Sequence, residues 1–383
     1  MDNNFPLELF KGVPTPFYYY DTRLLDRTLD LLRQMSHYPG FKVHYAIKAN
    51  ANPVVLQHIL RAGLGVDAVS GGEIQAALNV GFSPDRIVFA GVGKRDDEIE
   101  LALKQGIECL NVESEAELEV IEEIAASMGV QAPVALRVNP NIDAHTHSYI
   151  TTGLAENKFG ISIEMLEPIV LRCARSPHLR LRGLHFHIGS QITESDPFRM
   201  LCNVVNNLQD HYNSIGIQFP TINVGGGLGI DYDNPDTKPI PDFRTYFSLF
   251  HKYLRLRQGQ ELHFELGRSI VAQCGSLITK VLYVKQGLNK QFVIVDAGMT
   301  DLIRPALYQA HHNIQNLTST SSHQAVYDVV GPICESSDVF GKDECLPFTS
   351  RGDLLALRSA GAYGEIMASR YNCRNLPASI TNE

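Results

Sequence analysis

What this chain lacks narrows its possibilities early. No CxxC pair occurs among its seven cysteines (Cys109, Cys173, Cys202, Cys274, Cys334, Cys345 and Cys373), and their number is odd. Reduced thiols are therefore favoured over a disulfide framework. No apolar run reaches the ~20 residues that a membrane helix needs. The opening "MDNNFPLELFKG" has no basic start followed by an apolar stretch, so no signal peptide is expected. Positive charge is in deficit: a net charge of −9 argues against a nucleic-acid partner and fits a soluble cytoplasmic protein. No low-complexity segment occurs. The remainder is ordinary globular composition, 44% hydrophobic and 20% charged. Its 383 residues exceed what one core usually holds, so two domains are expected.

From about residue 41 one unit recurs: a short β-rich apolar run, a polar or glycine-rich turn, then a helical pattern. The strand candidates are "KVHYAIK", "LGVDAVS", "RIVFAG", "ECLNVE", "VALRVNP", "LRGLHFHIG", "TINVGGG" and "LHFELG". Helix-like stretches lie between them, and "SEAE" gives one of these a capping-box spacing from Ser114 to Glu117. Eight strands alternating with helices predict a parallel (β/α)8 TIM barrel, with a doubly wound open sheet as the alternative. After about residue 270 strands follow one another with little helix between them, which reads as an all-β domain of sandwich or barrel type. The expected division is a barrel over residues 24–268 and a β domain over 269–383, joined by the N-terminal segment 1–23. Residues 375–383 read as a loose tail.

In a (β/α)8 barrel the catalytic groups sit at the C-terminal ends of the strands. Those positions read Lys48, Asp67, Arg137, His185 with His187, Gly225 to Gly227, and Glu265 with Arg268. Lys48 stands in "HYAIKAN", where the alternation of Val43, Tyr45 and Ile47 describes a strand. Lysine is almost never fully buried unless paired or chemically employed. The "NVGGGLG" run offers backbone N–H groups to a phosphate, or else is a flexible turn; its place after the seventh strand favours phosphate. His185 and His187, two apart on a strand, face one side and could share a metal. That site would need more histidines and a carboxylate at other strand ends, and "AHTHS" at 144–148 falls in a loop, so no metal is expected. A lysine amine, a phosphate cradle, a ring to stack (His187) and a carboxylate (Glu265) together suggest pyridoxal 5'-phosphate.

The blocks "YAIKAN", "DAVSGGE", "RVNPNIDAHTHSYITTGLAENKFGI", "HFHIGSQ", "NVGGGLG", "ELGR", "DAGMTDLIRPALY", "VGPICES" and "AGAYG" occur in this order. Together they resemble the diaminopimelate decarboxylase family. That family belongs to the barrel-fold pyridoxal-phosphate enzymes, with ornithine and arginine decarboxylases and alanine racemase. The resemblance runs from about Phe17 to Gly364. It implies decarboxylation of meso-2,6-diaminopimelate to L-lysine, the last step of lysine biosynthesis, by a homodimer with shared active sites. By the same resemblance Lys48 holds the cofactor through its amine and His187 stacks on the ring. Ser190, Gly225, Gly226, Gly227 and the "ELGR" segment (Gly267, Arg268) surround the phosphate, and Glu265 faces the ring nitrogen. Arg268, Arg304 and Tyr308 grip the substrate, Glu335 meets its distal ammonium, and Tyr363 touches both substrate and cofactor. Cys334 returns the proton, from the partner subunit. One departure stands out, because Leu266 occupies a position where the family usually has proline, which implies a less constrained turn. The alternatives are a decarboxylase of ornithine or arginine, or a catalytically silent homologue; the intact Lys48 and Cys334 count against the second.

Overall fold

The computed structural model describes residues 5–142 and 158–382. The chain divides into two compact units: Leu29–Gly229 with Asp242–Gly267, and Met1–Thr28 with Ile230–Pro241 and Arg268–Glu383.

The first unit is built on eight parallel strands: Phe41–Ala46, Gly65–Ala68, Ile87–Phe89, Cys109–Val112, Ala132–Asn139, Leu179–His185, Thr221–Asn223 and Glu261–Leu266. Each pairs with the next in chain order. The eighth returns to the first, from Leu262 opposite Phe41 to Leu266 opposite Tyr45. The ring is closed, so this is the (β/α)8 barrel and not the open sheet. Most strand residues are buried, whichever face they point to, as happens when helices cover the outside and packed side chains fill the inside. Apolar runs rather than strict alternation are the consequence.

Local chemistry sets the helices between the strands. Ser114 caps the helix Glu115–Met128 by accepting from the Glu117 N–H at 3.2 Å. The Glu117 carboxylate does not complete a capping box; it takes the Glu113 N–H at 2.7 Å and the Lys94 ammonium at 2.6 Å. The helix Phe243–Tyr253 packs an aromatic face outside the eighth strand, with Tyr246, Phe247 and Phe250 ringing Phe264 at centroid distances of 5.8, 5.0 and 5.2 Å. Phe264 is anchored outward in this way, and strand alternation then turns Glu265 into the barrel. Leu266 remains in the strand opposite Tyr45, so the chain leaves the ladder only at Gly267. Leucine carries the backbone N–H that proline lacks, which lets it remain in a strand.

The second unit holds a mostly antiparallel sheet in the order Ile314–Asn316, Leu354–Leu357, Gly275–Gln286, Gln291–Val295, Gln324–Val330, Val339–Pro347. Phe17–Tyr20 joins it antiparallel to Gly275–Gln286. The expectation of a loose C-terminal tail is corrected: Ala378–Thr381 is a strand parallel to Phe17–Tyr20. Beyond it Asn382 Oδ1 accepts from the Thr22 N–H and hydroxyl. Residues 230–241, which the sequence reading put in the barrel span 24–268, belong to this unit. Gln273 Nε2 donates to the carbonyls of Asp231 and Lys238, and Arg358 pairs with Asp236.

Candidate active site

The barrel contributes a set of polar side chains from its strand ends. The first strand stops at Ala46, and Lys48 sits in a single 3-10 turn, Ile47–Ala49. The Tyr45 hydroxyl closes this turn by donating to the Asn50 carbonyl at 2.8 Å. Lys48 Nζ lies 3.6 Å from Asp67 Oδ2 on the second strand. Asp67 is fully buried, and neither of its oxygens has a hydrogen-bond partner among the described residues. Burial, and then the charge of Glu265, push its pKa well above the usual carboxylate range. Ionising a buried carboxyl without hydrogen-bond donors is costly, so its neutral form is favoured.

Glu265 shows the opposite behaviour. Its Oε1 accepts from Asn111 Nδ2 at 3.2 Å and Asn223 Nδ2 at 2.7 Å, and its Oε2 lies 3.0 Å from His185 Nε2. Burial alone would raise its pKa, but His185 first, and then Lys48 and His187, hold it well below the usual value. It is therefore a fixed, ionised carboxylate inside the barrel. The sequence reading named neither Asn111 nor Asn223; their only signal was an asparagine inside each of two apolar strands, "CLNV" and "TIN".

His187 Nδ1 accepts from the Gly226 N–H at 3.3 Å, which leaves the proton on Nε2. Burial, with Lys48 and Arg137 as positive neighbours, lowers its pKa well below the ordinary value, so the ring is neutral. Gly225 has φ +67°, and a Cβ there would collide with the Phe186 carbonyl; one on Gly226 would collide with that of Glu265. Only glycines let the backbone pass this close to the sixth and eighth strands. The Gly225 N–H is taken by Asn223 Oδ1 at 2.9 Å, whereas the Gly227 N–H meets no acceptor among the described residues. Ser190 lies partly exposed beyond the sixth strand, and Gly267 ends the eighth. Arg137 is engaged elsewhere, 2.6 Å from Glu113, whose other oxygen accepts from the Gly160 N–H. His145 and His147 of "AHTHS" lie outside the described residues. One group with metal-ligating side chains occurs among the described residues, His44, Glu108 and His263. His44 Nε2 is paired with Glu108 at 3.0 Å and His263 Nε2 with Glu261 at 3.3 Å.

These barrel residues fit pyridoxal phosphate. They supply an amine, a glycine turn at which a Cβ would collide with backbone, a neutral ring and an ionised carboxylate, with a second carboxyl beside the amine that has no hydrogen-bond donor among the described residues.

The second unit holds a cluster of its own. Arg268 and Arg304 are both buried, and both donate to the Tyr232 hydroxyl, at 2.6 and 2.9 Å. Arg304 also donates to His312 Nε2 at 3.0 Å, and its Nε has no partner among the described residues. No carboxylate lies within 4.0 Å of Arg304 among them. Burial, with Arg268 as a like charge, lowers the pKa of Arg304. Tyr363 stacks on Arg268 at 4.9 Å and takes a φ of +56°, unusual for a bulky residue and a mark of a functionally constrained position. Tyr308 ends the short helix Arg304–Tyr308 that begins with the arginine. Cys334 and Glu335 are exposed in the segment before Val339–Pro347. The segment is held by Asp338, which accepts from the Ile333 and Met299 N–H groups, while Glu335 accepts from the Tyr371 hydroxyl at 2.6 Å. Tyr232 and His312 escaped the sequence reading, because nothing in "GIDYDN" or "QAHHN" marks them.

Comparison with known proteins agrees with this chemistry. The family model described as "Pyridoxal-dependent decarboxylase, pyridoxal binding domain" matches residues 26–272. The chain is 58% identical to the diaminopimelate decarboxylase of Bacteroides thetaiotaomicron, across 100% of this chain and 99% of the relative. It is 45% identical to that of Pseudomonas aeruginosa, across 96% and 87%. The crystal structure of the Helicobacter pylori diaminopimelate decarboxylase complexed with L-lysine superposes with a TM-score of 0.92 at 43% identity, covering 98% of this chain and 94% of that one. A lysine/ornithine decarboxylase from Vibrio vulnificus shares the fold at 21% identity and a TM-score of 0.84. By sequence along its whole length, and by fold, the chain belongs to the diaminopimelate decarboxylase family of pyridoxal-dependent decarboxylases.

Proposed function

We propose that this protein decarboxylates meso-2,6-diaminopimelate to L-lysine and CO2, using pyridoxal phosphate held by the barrel. The observation that carries the choice of substrate is the buried pair Arg268 and Arg304 on one tyrosine hydroxyl, with no carboxylate for Arg304 among the described residues. Ornithine has no second carboxylate to offer such a pair; diaminopimelate does.

Pyridoxal phosphate, when bound, supplies the electron sink that accepts the pair left by the departing CO2. The residues of the chain supply the rest. Lys48 would hold the cofactor through its amine. The ionised Glu265 carboxylate would face the ring nitrogen and keep a proton on it, and the neutral His187 would stack on the ring. The turn Gly225, Gly226 and Gly227, whose last N–H meets no acceptor among the described residues, would surround the phosphate together with Ser190, Gly267 and Arg268. Arg268, Arg304 and Tyr308 would bind the carboxylate that is retained, Tyr363 would touch both substrate and cofactor, and Glu335 would lie near the distal ammonium. Cys334 returns a proton to the carbon that loses CO2. The exposure of Cys334 and Glu335 supports a homodimer in which each chain completes the other's site. No helix among the described residues is long and apolar enough to cross a membrane, and a cytoplasmic location suits a biosynthetic enzyme of this net charge.

Purified protein loaded with pyridoxal phosphate and offered diaminopimelate, ornithine and arginine should release CO2 from diaminopimelate alone. Equal rates on ornithine would reject the assignment.

A further inference from the structure

Tyr232 is the residue on which the arginine cluster converges. Its hydroxyl oxygen accepts from Arg268 Nη1 and Arg304 Nη1, and its ring lies 6.0 and 5.0 Å from the two guanidinium carbons. A phenolic oxygen has two lone pairs and one hydrogen. The arginines occupy both lone pairs, so the hydrogen points elsewhere, and no acceptor receives it among the described residues. The partner of Arg304 is fixed as well. His312 Nδ1 lies 2.8 Å from the Arg358 carbonyl, which accepts and therefore keeps the proton on Nδ1. Nε2 is left bare and accepts from Arg304. The His312 ring also stands edge-on to Tyr232 at 5.3 Å. Both cations thus meet at a single phenol, and the histidine that fixes Arg304 packs on the same ring.

We propose that Tyr232 is a specificity-determining residue: its hydroxyl holds Arg268 and Arg304 together and donates its own proton to the carboxylate that the substrate retains. Two forks and one O–H then converge on a group that accepts about four hydrogen bonds, which selects an amino-acid end over a bare amine. This rests on the function proposed above.

Decarboxylation of diaminopimelate leaves lysine with one carboxylate; cadaverine is the same chain with none. The test compares L-lysine and cadaverine as inhibitors of holoenzyme, wild type against Tyr232→Phe, which keeps the ring and removes only the oxygen. The inhibition constant for L-lysine should rise on the order of tenfold or more, as expected for a lost hydrogen bond to a charged group, while that for cadaverine stays put. In parallel, KM for diaminopimelate should rise more than kcat falls. An L-lysine constant within about threefold of wild type, or an equal weakening of cadaverine, would overturn the assignment to Tyr232. A wild-type enzyme that binds cadaverine as tightly as L-lysine would instead sink the functional reading itself, and this inference with it.

Discussion

Replacing Arg304 with alanine separates binding from folding, because the two effects have different sizes. Arg304 Nη1 and Arg268 Nη1 each reach the Tyr232 oxygen, at 2.9 and 2.6 Å. Two unit charges roughly 5 Å apart repel by about 3 kcal/mol at an effective dielectric near 20. Removing Arg304 relieves that repulsion but strips donors from Tyr232 and His312, at roughly 1–3 kcal/mol for buried groups left unsatisfied. The two terms nearly cancel, so Arg304→Ala should unfold within a degree or two of wild type. Catalysis has no such compensation. A substrate carboxylate brought to this buried place without its cation loses ~3–5 kcal/mol, or about two to four decades in kcat/KM. The assay is steady-state CO2 release from meso-diaminopimelate, with a melting curve and the visible absorbance of the bound cofactor recorded on the same sample. Arg304→Lys should recover only part of the loss, since an ammonium cannot imitate the planar fork. An Arg304→Ala enzyme with unimpaired kcat/KM would refute the reasoning; so would a loss of activity that tracks a loss of folded protein.

Two further outcomes follow. Lys48→Ala and Cys334→Ala, each nearly inactive alone, should regain part of the activity when refolded together, because a mixed dimer assembles one intact site; mixed dimers that form yet stay inactive would place both residues in one chain's site. His312 is buried and its pKa is pushed down from 6.5 to about 3, by burial first and by Arg304 second. A histidine with a depressed folded value takes its proton first in the unfolded chain. Its stabilising contribution is therefore present above pH 6.5 and fades as pH falls toward 3, on the order of 5 kcal/mol in all. His312→Gln should flatten that part of the stability curve in denaturant melts, and an unchanged slope would count against it.

The sequence by itself determined the recurring strand–helix unit, the place where it gives way to an all-β pattern, and the strand-end positions at which chemistry-bearing residues stand. These are local properties: apolar runs, turn residues and short blocks such as "YAIKAN" report what a segment does whatever its partners. Only the tertiary structure decided which groups meet. Glu265 is held by Asn111, His185 and Asn223, which arrive from 154, 80 and 42 residues away, and it is ionised because His185, Lys48 and His187 stand beside it in space. Tyr232 joins Arg268 and Arg304 across 36 and 72 residues, and His312 acquires its tautomer from a carbonyl 46 residues on. The last strand, Ala378–Thr381, looked like a tail because its neighbour Phe17–Tyr20 is at the other end of the chain. A residue's protonation state and hydrogen-bond direction depend on what surrounds it in space, and closure of the barrel and strand pairing in the sheet are what supply those neighbours.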